Sequence, residues 1–213
     1  MSRCKQYILI LAFLVPAIAA AQHGEGGTES LFKYGYQART LSLGGAVTAW
    51  PSAGAALYWN PGGMGVTQQK EIYLSHTTLF ENTQYNFAGY VYPTLTSGVF
   101  GIGFAMISTG GIGYREWENN TVIDYGEMGF WWAKATLAYS LDLFSNVSAG
   151  LGFDVNRKVL GSWSTNGFGL NGGILYRFSA DKGLFHNLSA GISMEHILSP
   201  QMGLGQQVEE MAY

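Results

Sequence analysis

The stretch Val147–Val155, VSAGLGFDV, decides how the whole chain is read. Val147, Ala149, Leu151, Phe153 and Val155 alternate there with Ser148, Gly150, Gly152 and Asp154. A period of two puts successive side chains on opposite faces of an extended strand, so one face is wholly apolar and the other small and polar. The pattern recurs on both sides. Downstream, Phe168, Leu170, Gly172, Ile174, Tyr176 and Phe178 oppose Gly169, Asn171, Gly173, Leu175 and Arg177; further on, Leu188, Ala190, Ile192 and Met194 oppose Ser189, Gly191, Ser193 and Glu195. Upstream, Met128–Ser140 carries Trp131, Ala133, Ala135, Leu137 and Tyr139 on one face, and Gly98–Ser108 carries Phe100, Ile102, Phe104 and Met106. Thr83–Tyr92 and the less regular Glu71–Leu79 bring the expected count to seven strands.

Charge sharpens this pattern. Lys134, Asp154, Arg177 and Glu195 all fall opposite the apolar face, which carries no Lys, Arg, Asp or Glu in the last five strands. A bilayer enforces such a rule, because a basic residue facing lipid at mid-depth costs about 2–4 kcal/mol. The buried core of a soluble sandwich enforces it equally. The opposite face separates the two: a sandwich should show Lys, Glu and Thr to water, whereas this face is mainly Gly, Ser and Asn, as suits a crowded lumen. The fold class expected is therefore all-β, an antiparallel transmembrane β-barrel, with a secreted β-sandwich binding module as the alternative.

Connections point the same way. The segments Pro93–Ser97, Leu141–Ser145 and Ser179–His186 read as periplasmic turns, and Thr109–Gly126 and Lys158–Thr165 as longer external loops, with the tight Glu81-Asn82 link as the exception. Tyr92, Trp131, Tyr139 and Phe178, near strand ends, suit interfacial girdles.

Composition agrees. Of 213 residues only 12% are charged, about half the share usual in a soluble globular protein, while 30 are glycine and 15% aromatic. Residues 1–21 read as a signal peptide for export to a bacterial outer membrane: Arg3 and Lys5 form a basic start, Tyr7–Val15 an apolar core, and Ala17–Ala19 or Ala19–Ala21 a cleavage site. The sole cysteine, Cys4, lies in the basic start, so the mature chain would hold no disulfide. Removing Arg3 and Lys5 from the 11 basic residues leaves nine against 14 acidic ones, which argues against nucleic acid as a partner.

Between the leader and the strands, Gln37–Val66, QARTLSLGGAVTAWPSAGAALYWNPGGMGV, contains one charge, Arg39. It is too interrupted by Gly and Pro to span a membrane as a helix, so it needs shelter. Residues 22–66 are read as a plug or hatch and 67–213 as a partial barrel. Within the plug, Thr28 or Ser30 could cap a helix toward Arg39. Leu41, Gly44, Gly45 and Thr48 share one helical face whose glycines are expected to allow close approach to a wall. Ala53–Trp59 reads as a second short helix, stopped at Asn60-Pro61, with Gly62 and Gly63 supplying a turn.

Catalytic, nucleotide-binding and metal-ligating motifs are absent, so no enzyme activity, cofactor or metal is expected. His23, His76, His186 and His196 are scattered. Lys134, Asp154, Asn171, Arg177 and Glu195 form an inward polar set with two readings: charges that brace wall and plug, or a lining that guides a solute.

The segment GTESLFKYGYQARTLSLGGAVTA followed by ALYWNPGGMG resembles the N-terminal signature of the PorV/PorQ and FadL-like outer-membrane proteins. Ala38, Arg39, Gly44, Gly45, Ala46, Asn60, Pro61 and Gly62 match its pattern; Gln37, Pro51–Gly54 and the Gly62-Gly63 pair depart from it. The resemblance implies a barrel of about fourteen strands with an N-terminal hatch. It also implies passage of hydrophobic small molecules or service to type IX protein secretion, with outer-membrane lipid, an apolar ligand or secretion components as partners. Seven strands make about half such a barrel, so truncation, or completion by another chain, is expected.

Overall fold

The computed structural model describes residue 32, residues 35–50, 52–118, 120–178 and 188–198, and the pairs 201–202 and 209–210. The signal-peptide reading of residues 1–21, the proposed helix start at Thr28 or Ser30 and the Ser179–His186 turn lie outside the described residues. No helix among those described is long and apolar enough to cross a membrane.

The alternation becomes one seven-stranded antiparallel sheet in chain order: β1 Glu71–Thr78, β2 Gln84–Pro93, β3 Val99–Glu118, β4 Thr121–Phe144, β5 Val147–Leu160, β6 Trp163–Arg177 and β7 Ser189–Leu198. The chain is thus all-β with few helices, and the sheet is open, with β1 and β7 at its edges. Gln201–Met202 and Glu209–Glu210, β8 and β9, form a separate short ladder.

Two expected loops are strand instead. Thr109–Gly126 continues β3 and β4 into a hairpin that turns at Asn120, whose φ is 64°. Beyond Ser108 and Phe130 those strands pair only with each other, so a two-stranded ribbon rises past its neighbours. Register shifts between Thr109 and Ile112, and between Gly113 and Arg115, absorb its twist. Lys158–Thr165 likewise reduces to a tight turn with Gly161 at φ 56°, and β4 runs through most of the expected Leu141–Ser145 turn. The Glu81-Asn82 link is a two-residue hairpin turn with both φ values positive, at 51° and 54°.

The two sheet faces differ in burial. On β5, Leu151 is 59% exposed and Phe153 44%, while Ser148 is 0% and Asp154 1% exposed. Ile72, Leu74, Ile102, Phe104, Leu137, Phe168, Ile174, Ile192 and Met194 are exposed on the same apolar face. The small face is covered by the helical segment that precedes the sheet. That segment comprises α1 (Ala38–Ser42), α2 (Ala53–Trp59) and a 3₁₀ helix over Pro61–Val66. Phe32, Tyr36, Leu57, Tyr58 and Met64 from this region meet Tyr85, Phe87, Val91, Ile107 and Trp132 in one buried cluster.

The short helices follow from local chemistry. α2 stops where the residue before Pro61 must leave the α region, and Asn60 there is extended at φ −154°, ψ 93°. Its Oδ1 accepts from the Gly62 N–H at 3.1 Å, capping the 3₁₀ helix. α1 is shorter than the expected glycine-faced helix: Gly44 and Gly45 take left-handed φ values of 61° and 78° and end it. An added Cβ would meet nothing within 4 Å at Gly44 and only the Trp59 ring, at 3.8 Å, at Gly45, so these two glycines serve the backbone turn.

Candidate functional site

The covered face of the sheet, with the helical segment on it, is the candidate site. At its lower end, toward the β2–β3 and β4–β5 turns, the two are in backbone contact. A Cβ on Gly62 would lie 2.5 Å from the Gly173 carbonyl oxygen; one on Gly150 would strike the Pro61 carbonyl, and one on Gly191 the Thr48 carbonyl. Glycine at these inward strand positions therefore lets a second backbone lie directly on the first. The turn expected of Gly62 is a 3₁₀ helix, and its bare Cα serves this contact.

Asn60, 1% exposed, joins the layers. Its Nδ2 donates to the Thr48 carbonyl at 2.7 Å and to the Ile174 carbonyl of β6 at 3.2 Å. Two strand hydroxyls act alike: Ser140 donates to the Gly62 carbonyl at 3.2 Å and Ser189 to the Ala49 carbonyl at 2.5 Å. Two carbonyls of the helical segment thus accept hydrogen bonds from the wall. Arg39 takes no part in this seam; its guanidinium stacks over Trp50 within the helical segment, 4.3 Å from the ring centroid.

Higher up, aromatic rings replace glycine. Tyr36 stacks on Phe87 with centroids 3.4 Å apart, donates its hydroxyl to the Gly54 carbonyl and receives the Ser75 hydroxyl on its own carbonyl at 2.7 Å. Tyr58 donates to the Phe32 carbonyl, so its 3.0 Å contact with Tyr85 must use the Tyr85 proton. Burial, then the neighbouring Tyr85, hold the phenols of Tyr36 and Tyr58 well above the ordinary tyrosine value.

The inward polar set divides into two places. Asp154 accepts from Thr136 Oγ1 and Asn171 Nδ2, each at 2.6 Å. The Lys134 ammonium stands over the Tyr58 and Phe32 rings at 4.2 and 5.3 Å, and Glu195 lies within electrostatic reach of both Lys134 and Asp154. Arg177 sits apart near the β4–β5 turn, 3.5 Å from Asp142 and donating to the Ser145 carbonyl at 3.2 Å. Asp154 is thus held within the sheet by two hydrogen bonds, Lys134 meets rings of the chain that precedes the sheet, and Arg177 lies against a turn.

Four participants escaped sequence reading: Thr136, Tyr85, Asn156 and Ser140. Only their inward register marked them. Asn156 faces Lys134 across β4 and β5, is 0% exposed, and neither its Oδ1 nor its Nδ2 has a hydrogen-bond partner. His76 Nδ1 lies 2.7 Å from Asn86 Oδ1 on the uncovered face. Among the described residues no group of three or more His, Cys, Asp or Glu could hold a metal ion. The chain matches no family model, no curated protein and no solved structure.

Proposed function

We propose that this chain forms part of the wall and the plug of an outer-membrane β-barrel of FadL or PorV type, concerned with passage of hydrophobic small molecules. The observation that carries the reading is the inverted burial of β5: Leu151, Phe153 and Val155 are exposed while Ser148, Asp154 and Asn156 are sealed. Water penalises that arrangement, because apolar area left exposed forfeits about 25 cal/mol per Å² of burial; lipid favours it. Trp131 with Arg157 5.9 Å from its ring, and Tyr92 with Lys70 4.9 Å from its ring, border the apolar belt at opposite strand ends, as interfacial anchors do. The open edges of β1 and β7 require further strands to complete such a barrel.

In this reading the helical segment is the plug, and solutes pass through a gap beside it. The test is fractionation of the full chain from expressing cells with uptake of a radiolabelled apolar solute. Recovery in washed outer membranes with plug-dependent uptake supports the reading; recovery in the soluble periplasmic fraction sinks it.

A second reading is a non-conducting outer-membrane component of type IX secretion. The backbone contacts of Gly62 with Gly173 and Gly150 with Pro61 favour it, because a plug seated so closely leaves little room at that end. Capture of secreted cargo by a membrane-embedded chain that supports no uptake would select this reading.

A further inference from the structure

The uncovered face is not uniform. It holds an almost wholly apolar groove of about 540 Å³ that crosses from β2 to β6, between Tyr92, Phe100, Leu137, Leu151, Phe153 and Leu170. Volumes of about 300–1,000 Å³ are those of ligand sites rather than of gaps between side chains. Its two ends differ. Tyr92 is the last residue but one of β2, whereas Phe153 and Leu170 are mid-strand, flanked along β5 and β6 by Leu151, Val155 and Phe168. The row Tyr92, Phe100, Tyr139 and Leu151 and the next row, Tyr90, Ile102, Leu137, Phe153 and Leu170, line the groove, which therefore runs across the strands from the β2 side of the sheet toward β6.

A cation stands at the outer end. Lys70 is exposed, and its ammonium is 4.9 Å from the centroid of the Tyr92 ring, on the side chain that forms the mouth. The adjoining Glu71 is at alternate register and half-buried. Tyr139 is tied down beside the same end, its hydroxyl donating to the Ser97 carbonyl at 2.7 Å. An apolar channel with one positive charge at its mouth is complementary to an amphiphile with an acyl chain and an anionic head.

We propose that this groove and Lys70 seat one glycerophospholipid of the surrounding bilayer, its acyl chain along the groove and its phosphate at the ammonium. The proposal rests on the uncovered face being the lipid-facing one. It makes that face a specific lipid site rather than a featureless apolar belt.

The test uses the full chain extracted from outer membranes in mild detergent, with retained lipid counted by native mass spectrometry before and after addition of phosphatidylglycerol. Wild type should keep a phospholipid through delipidation. Leu151→Trp, which fills the groove, should lose it, and Lys70→Gln should weaken retention about five-fold. Ile192→Trp, on the same face but outside the groove, should keep it. Equal retention in all four proteins, or no retention in a wild-type chain that is membrane-embedded, overturns the proposal and leaves the membrane reading intact. A chain found only in the soluble fraction overturns both.

Discussion

Asn60 lies directly on Gly173: its Oδ1 occupies the space that a Cβ on the strand residue would need, and its Nδ2 donates to the next carbonyl, that of Ile174, at 3.2 Å. Gly173→Ala should therefore lift the helical segment from β6, at about 1–3 kcal/mol, the usual cost of overpacking. Limited proteolysis within residues 38–66 would report it. Cleavage as slow as in wild type would show that the contact yields without loss.

The Asn60 side chain makes three hydrogen bonds. Asn60→Ala should cost about 1–3 kcal/mol, since buried partners are left unpaired. Asn60→Asp keeps the cap on Gly62 but sets a carboxylate against two carbonyl oxygens, and should be the worse of the two. Urea titration of the detergent-solubilised chain would rank them.

Asp154 and Asn156 are successive inward residues of β5 with opposite expectations. Asp154→Leu deprives Thr136 and Asn171 of their acceptor, and loss of hydrogen bonds to a charged group should cost about 1.5–3 kcal/mol each. Asn156→Leu removes polar atoms that have no partner, so stability should hold or rise. Thermal unfolding of both variants checks the contrast.

On the uncovered face, Phe153→Arg places a charge where the proposed bilayer would lie, at a cost of about 2–4 kcal/mol at mid-depth. The amount reaching washed outer membranes should drop. Were this face solvated, the same variant would raise soluble yield, the opposite sign.

Alkaline pH should loosen the helical segment. Tyr36 and Tyr58 have pKa values raised in the folded chain, whereas an unfolded tyrosine titrates near about 10. Their contribution is present in full below that value and is lost as pH rises from it toward the folded values, because the unfolded chain then binds fewer protons. The melting temperature should fall above about pH 10, and Tyr58→Phe should flatten the fall while costing about 1 kcal/mol at neutral pH.

The strands were legible in VSAGLGFDV and its repeats because a period of two is local. The helix Ala53–Trp59 was legible too, since Asn60-Pro61 is a local stop. Two other features were not. Gly44-Gly45 matched a helical face by spacing, and only the positive φ values reveal a helix exit. The small inward face suits a crowded interior by pattern, whereas Gly150, Gly173 and Gly191 each face a particular carbonyl or side chain, a pairing that no spacing encodes. The ribbon beyond Ser108 and Phe130 falls in the expected external loop Thr109–Gly126, although Tyr114, Trp117, Val122, Ile123 and Tyr125 are strand formers. The inward charges could be placed on one face but not at one height, so Arg177 was grouped with residues it does not meet.

The two edges of the sheet carry a constraint of parity. β1 and β7 are joined by a succession of antiparallel pairings through an odd number of strands, so they run in the same direction. In the proposed membrane wall, a second copy placed beside the first in the same orientation would set its β1 parallel to β7, and an inverted copy would have to cross the bilayer upside down. A wholly antiparallel closure therefore takes an odd number of further strands, and two identical seven-stranded sheets cannot supply it. In the proposed barrel, then, the wall would be completed by strands other than a second copy of this sheet, and the ring would have no two-fold axis relating equal halves.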